Sequence, residues 1–416
     1  MSKESVNLIE TKNELLFFIF LILSIFLINI FYEYSKYKDI KEDEVFLSKA
    51  TILNIYKKHN YDIYKLKTIN NEIVFTKLNK QIDLKKNSFV EILFITKYIS
   101  FYEYLKGFFT KTLFVSKIDK KEFDLRSYLS EKINSMHEDK IVAELFNALF
   151  LALPISTQLR EFCTNFAISH LIAISGFHLG IFSFIIYIFS FLVYFYIHKI
   201  YFNHRNRRFD ILIISCIILL FYLILIDFVA SFLRAFIMFI FAIIFLRSNI
   251  KILSFNTLLI TLLFIIAFFP KYLFSLSLWF SVLGVFYIFL FLQYFKNLPK
   301  FYMLILFNFW IFFALNPIIH YFFYETSTLQ LFSAFITLFF TVFYPLELFL
   351  HFIGFADLLD SLIKQFLTIQ FSSYTVQTSL WFFIIYLVFS LLAVFKKEAF
   401  YIVNILLIVF NVYAYI

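Results

Sequence analysis

The sequence predicts a polytopic α-helical membrane protein that carries a small extracytoplasmic β-barrel domain near its N-terminus. Three observations predict it. Of 416 residues, 62% are hydrophobic and 23% aromatic, well above the roughly half-apolar composition of soluble domains. From residue 160 onward, apolar runs recur that are long enough to cross a hydrocarbon core about 30 Å thick. A single long polar stretch, residues 33–140, interrupts that pattern and alternates as strands do. The chain is rich in Phe, Ile, Lys and Asn throughout, so a lone Phe carries little chemical information.

The first element is an N-terminal transmembrane anchor within residues 1–35. Residues 14–32, ELLFFIFLILSIFLINIFY, span a bilayer by length and lack a small-residue cleavage site, so they read as a retained segment. The polar domain follows at 36–120. Residues 41–120 hold 15 Lys, no Arg and 9 acidic residues, with 14 Phe or Tyr interleaved. Residues 45–58, 61–69, 71–78 and 88–98 are β-branched and aromatic with partial alternation, and 112–118 supplies a fifth strand. Asn70-Asn71 suits a hairpin turn. Five short strands in so few residues suit a closed barrel, of which the OB-fold is the commonest.

Residues 121–160 come next. Leu129, Ile133, Met136, Ile141, Leu145 and Leu149 recur at helical spacing between charges, which predicts one amphipathic helix or two at the membrane surface. A transmembrane bundle is expected over 161–350, and a re-entrant or interfacial segment with C-terminal transmembrane helices over 351–416; residues 351–371 are too polar to span simply. About eight or nine spans are expected besides the anchor. The net charge is +9, which positive-inside sorting alone explains in part. Lys199, Arg205, Arg207 and Arg208 make the strongest basic loop, expected in the cytoplasm, and this places the polar domain outside. Arg247, Lys251, Lys296 and Lys300 fall on the same side by that count. Cys163 and Cys216 lie in apolar surroundings and read as packing residues, with a disulfide as a lesser alternative.

Two stretches carry chemistry. The first is FAISHLIAISGFHLGIF, residues 166–182, with His170, Ser175, Gly176, His178 and Gly180. Ser-Gly beside His predicts a bend or break, tolerated at membrane depth where the backbone is buried in protein or lines water. Buried ionisable groups there point to function, although hydrogen bonding between helices is the plain alternative. The second is DFVASFLRAFIMF, residues 227–239. Asp227 and Arg234 are seven apart and are expected on one helix face, pairing with each other or with His170. In the polar domain Tyr56, Lys57, Lys58, Tyr61, Tyr64, Lys65 and Lys67 are candidates for backbone-phosphate contacts and base stacking; the alternative is that half of those aromatics fill the barrel and the lysines are merely solvated.

The segment SHLIAISGFHLGIF resembles the signature H-L-L-A-I-S-G-L-H-V-G of the ComEC competence-protein family, the DNA internalisation channels of natural transformation. EFDLRSYL (122–129) is similar to the family's F-D-Y-R-x-Y-L run, and SFLRAFIMF (231–239) followed by FFPKYLFSLSLWFSVLGV (268–285) resembles its R-A-x-L-M and D-P-x-x-L-F segments. The resemblance covers about residues 40–350. Ile168-Ser169, Phe269-Pro270 and Ser277 depart from the pattern. The sequence has no H-x-H-x-D-H cluster, so it is expected to be a short form lacking the C-terminal metallo-β-lactamase-like domain, without a metal site of that kind.

The resemblance implies inward passage of single-stranded DNA through the bacterial inner membrane by a multi-pass protein. It also implies a periplasmic DNA receptor as a partner, with a homo-oligomer compatible. Moving DNA into a negative cytoplasm costs about 2.3 kcal/mol per charge per 100 mV. The five glycines never fit a Walker A loop, so a cytoplasmic ATP-driven motor or helicase in trans, or proton coupling, must supply work. No cofactor and no catalytic residue is expected, and the chain reads as a conduit rather than an enzyme. His170, His178 and Arg234 are expected to form a phosphate ladder or proton relay. Two rivals stand beside this reading. One is a small-solute or polysaccharide transporter with an extracytoplasmic binding domain. The other is an intramembrane serine protease built on Ser175, which Ala173 disfavours because it stands where such a serine needs Gly.

Overall fold

A computed structural model describes residues 12–42, 44–57, 61–70, 72–78, 88–118, 124–201, 204–245, 254–369 and 372–416. The described residues separate into two compact units, one comprising 12–124 together with 259–278, the other 125–258 together with 279–416.

In the first unit, helix α1 (Lys12–Glu42) runs past the apolar anchor, with Glu14 in its first turn and Lys41 in its last, the charge placement the helix dipole favours. Strands β1 (Val45–Lys57), β2 (Asp62–Thr68), β3 (Ile73–Leu78) and β4 (Phe89–Ile95) follow. They match the four expected strands closely because strict alternation buries one face: Asp62, Tyr64, Leu66 and Thr68 of β2 point inward while Ile63, Lys65 and Lys67 do not. Helix α2 (Phe101–Lys106) then leads to β5 (Phe108–Thr110) and β6 (Thr112–Ile118). The expected fifth strand is β6. The three-residue β5 escaped sequence reading because Gly107, at φ +96°, cuts it off from α2; a Cβ there would meet the Ile73 side chain at 3.2 Å.

Sheet order is β5-β3-β2-β1-β4-β6. Neighbours are antiparallel except β3 and β5, which run parallel. The two edge strands are consecutive in the chain and separated only by Lys111, so the sheet curls toward closure as a small barrel must. Register shifts at Ile52/Asn54 and Leu93/Phe94 supply the bends. Ile52, Leu66, Val74, Val90, Ile92 and Phe94 fill the interior. The Asn70-Asn71 turn is described only at Asn70, and Asn71, Arg247 and Lys251 lie outside the described residues.

The second unit begins with α3 (Leu125–Met136) and α4 (Lys140–Leu151), the expected amphipathic pair. Asp139 caps α4 by accepting from Ile141 N, and the Arg126 guanidinium donates to the Leu151 and Ala152 carbonyls at its other end. Then come α5 (Thr157–Asn165), α6 (Ser169–Ile172), α7 (Gly176–Tyr201), α8 (Arg207–Leu225), α9 (Ala230–Phe245), α10 (Phe255–Phe268), α11 (Leu276–Phe295), α12 (Lys300–Phe322), α13 (Ser333–Ile353), α14 (Asp360–Leu367), α15 (Leu380–Leu392) and α16 (Lys397–Tyr415). Residues 259–278 of α10 and α11 belong to the first unit.

Seven helices among the described residues are long and apolar enough to cross a membrane, α1 included, and three shorter apolar helices accompany them. Only 28% of the apolar window in α7 is buried by protein, so its outward Phe184, Phe189, Leu192 and Val193 require lipid. The stretch after α13 is short helices rather than a span: Gly354 at φ +86° ends α13, and α14 is eight residues long. Three polar pairs join helices α11, α12, α15 and α16: Tyr287 with Ser390, Trp310 with Asn404 and Asn316 with Asn411.

Candidate functional site

The stretch 166–182 is a broken helix, as its Ser-Gly pair predicts. Helix α5 ends with Ala167 in the left-handed region at φ +52°, where Ala167 N bonds Thr164 O and Ile168 N bonds Cys163 O. One turn of α6 follows, Ala173 is extended, and α7 starts at Gly176. Such a break leaves carbonyls without intrahelical donors. Here other elements supply them. Gln330 donates to Thr164 O, Ser333 and His170 reach Ala167 O, and Ser231 of α9 donates to Ile174 O.

At the start of α7, Ser175 precedes the first turn and His178 is its third residue. The Ser175 backbone N–H donates to His178 Nδ1 at 3.2 Å, and Ser175 Oγ lies 3.3 Å from the same nitrogen. The imidazole thus takes the place of Glu in a capping box. Because Nδ1 accepts, a neutral His178 carries its proton on Nε2, and that atom is buried without a partner. His178 is fully buried, edge-on to Tyr344 at 4.5 Å between centroids. The Ser–His contact invites comparison with a nucleophile and base, yet among the described residues no third group hydrogen-bonds this imidazole, as catalysis by such a pair requires; the geometry is that of a helix cap.

Arg234 of α9 completes the site. It is 5% exposed. Its Nε donates to Ser281 Oγ at 2.8 Å and its Nη1 contacts Met238 Sδ at 3.2 Å. Its Nη2 would lie 3.3 Å from a Cβ added to Gly176. No carboxylate among the described residues forms an ion pair with it. A guanidinium buried beside a helix N-terminus and lacking a counter-ion is a cationic spot suited to an anion.

Within this unit the structure therefore brings Ser175, Gly176, His178 and Arg234 together. His170 stands apart, exposed, with Nδ1 on Ala167 O and Nε2 3.4 Å from Thr337 Oγ1. The expected pairing of Arg234 with Asp227 or His170 does not form. Asp227 is not on the helix at all: it and Phe228 adopt positive φ in the turn before α9, so a seven-residue spacing does not put it on one face with Arg234. Gly180 is also not a close-approach glycine, because a Cβ there meets nothing within 4 Å. Sequence reading missed Ser231, Ser281, Tyr344 and Glu347; the last two sit three apart on α13, and the signal that reveals them is an ionisable group inside an apolar run.

With that geometry in view, comparison with known proteins is decisive. A family model described as Competence protein matches residues 154–415. The chain belongs to the competence protein family. The matched region contains the whole helix break, Arg234 and Ser281, but not the sheet domain. No curated protein and no solved structure matches this competence protein. It is a multi-pass membrane protein of a family that serves competence and DNA uptake.

The sheet unit of this competence protein places its candidates unevenly. Tyr64 is 3% exposed in the barrel core, so its ring has no free face; strand period forbids Tyr64 and Lys65 from sharing a side. Tyr56, Tyr61, Lys65 and Lys67 are half-buried. The Lys57 side chain and all of Lys58 lie outside the described residues. The outer face instead combines Tyr61 under Lys77 at 4.4 Å, Lys65 over Phe75 at 5.8 Å, and Lys77 near Phe109 at 5.9 Å. Register aligns Lys65, Phe75 and Phe109 across β2, β3 and β5. Phe75, Lys77 and Phe109 were missed because only strand pairing joins them. Cys163 is buried and Cys216 half-buried, and both are free.

Proposed function

We propose that this competence protein passes single-stranded DNA into the cytoplasm across the bacterial inner membrane. The observation that carries the reading is Arg234: a buried cation with no carboxylate ion pair among the described residues, held against the glycine that starts α7. Such a group is costly unless an anion visits it, and a phosphodiester is the anion a DNA-uptake protein handles. The broken helix offers a polar backbone path, and His178 and Ser175 shape its edge. In the sheet unit, the Lys65–Phe75–Phe109 row provides charge for phosphates and faces for bases, the sequence-neutral pairing that single strands need.

In this reading a periplasmic DNA receptor delivers the strand. A cytoplasmic ATP-driven motor or helicase in trans supplies the work, since passage opposes the membrane potential at about 2.3 kcal/mol per charge per 100 mV. The test is uptake of labelled DNA in strains carrying Arg234→Ala or His178→Ala, with membrane levels of the protein checked alongside. Loss of uptake at normal protein level is expected; uptake at the parental rate in both strains removes the proposal.

A further inference from the structure

Away from the helix break, α3–α4, α13 and α14 enclose a second polar cluster. His137 lies in the turn between α3 and α4, its side chain fully buried. Its Nδ1 sits 2.9 and 3.0 Å from the two carboxylate oxygens of Asp360, at the start of α14. Its Nε2 sits 3.0 Å from Nε2 of His351, near the end of α13. His351 Nδ1 in turn lies 2.8 Å from the Glu347 backbone carbonyl and 3.4 Å from Glu347 Oε2. Both carboxylate oxygens of Glu347 are buried without a hydrogen bond.

Counting protons fixes the state of this cluster. A carbonyl oxygen only accepts, so His351 Nδ1 carries hydrogen. One imidazole nitrogen within reach of both Asp360 oxygens marks an ionised carboxylate accepting from His137 Nδ1–H. If both rings were neutral, two bare Nε2 lone pairs would face each other at 3.0 Å. One more proton removes that conflict. The pair then shares an N–H···N bond and a single positive charge, which Asp360 offsets.

We propose that the His137–His351 pair is a proton-binding site that exchanges its proton with Glu347. In the step, the N–H bond at His351 Nδ1 breaks and an O–H bond forms at Glu347 Oε2. His351 keeps its Nε2–H and donates it to His137 Nε2, its bare Nδ1 accepts from the new Glu347 Oε2–H in place of donating to the Glu347 carbonyl, and Glu347 becomes neutral. The reverse step restores the charge on the pair, and no other bond changes. The groups facing the pair are Asp360 from α14 and Glu347 from α13, while α4 contributes the rings of Phe146 and Phe150. Lys364 of α14 is engaged with Asp139 at 3.1 Å. Tyr344, one turn before Glu347, also has a buried hydroxyl without a partner and packs against His178, so unsatisfied polar atoms continue from the proton site to the helix break.

The test is 15N magnetic resonance of the full-length, histidine-labelled protein in lipid bilayers near neutral pH. The expected spectrum contains one histidine pair with an N–H···N coupling and three protonated nitrogens among its four. The coupling disappears in His137→Gln and in His351→Gln. In Glu347→Gln it persists, while the exchange broadening of the His351 Nδ1–H signal is lost. Two neutral rings without coupling in the unmodified protein would overturn the proposal whether or not the histidine variants fold. So would a metal-shifted pair that reverts on chelation, or broadening unchanged by Glu347→Gln.

Discussion

Gly176 and Arg234 define one cationic spot: the guanidinium Nη2 lies 3.3 Å from where a Cβ on Gly176 would sit, so a side chain there presses on it. The glycine therefore serves the arginine as much as the helix start. Gly176→Val is expected to displace the guanidinium at a cost of about 1–3 kcal/mol for overpacking. Uptake should fall as far as in Arg234→Ala. Measuring both variants in one strain background checks it; a normal rate in Gly176→Val shows that the approach of Arg234 is incidental.

Gly180 predicts the opposite. It lies inside α7 and its Cβ direction is open. Gly180→Ala should leave folding intact and stabilise the helix by about 0.5–1 kcal/mol. A raised thermal midpoint in detergent is the readout.

On the sheet domain, Lys77→Ala should lower the slope of log affinity against log salt for single-stranded DNA by about 0.7, as one phosphate contact is lost. Phe109→Ala should weaken binding by about 1–3 kcal/mol with little change in that slope. Titrations of the full-length protein at several salt concentrations separate the two. Tyr64→Phe should change neither, because Tyr64 is in the core.

Glu72 supplies a pH dependence. It is buried, it bonds Thr68, and its Oε1 has no partner. Burial raises its carboxyl above the ordinary range, with the Thr68 bond opposing. The folded value exceeds the unfolded one. The carboxyl's stabilisation is thus complete below the unfolded carboxyl range and is lost as pH rises through the folded value. Glu72→Gln should melt at a higher temperature than the parent at neutral pH, with the gap closing in acid. Melts across pH 4–8 check the sign (about the range over which a carboxyl of raised pKa titrates).

These outcomes track what the residues alone disclose. Apolar runs and strand alternation locate helices and sheet strands to within a few positions, because burial on one face leaves a periodic trace. The Ser175-Gly176 break is equally legible, since both residue types loosen a helix. Pairing is not. Asp227 and Arg234 share a helical spacing, yet two positive-φ residues in the turn remove Asp227 from the helix. Lys65, Phe75 and Phe109 become neighbours only through strand register, and His137 meets His351 only through tertiary packing. Nothing local encodes those meetings.

In the proposed function the helix break lines a wet path which a nucleotide strand enters. Thiol accessibility measures it most directly. In a background with Cys163 and Cys216 replaced by Ala, Ser175→Cys in membranes should react with a water-soluble, membrane-impermeant thiol reagent. An oligonucleotide supplied with the motor should protect it. A cysteine at 175 that stays unreactive in the folded protein, or that reacts at the same rate with and without DNA, contradicts the account.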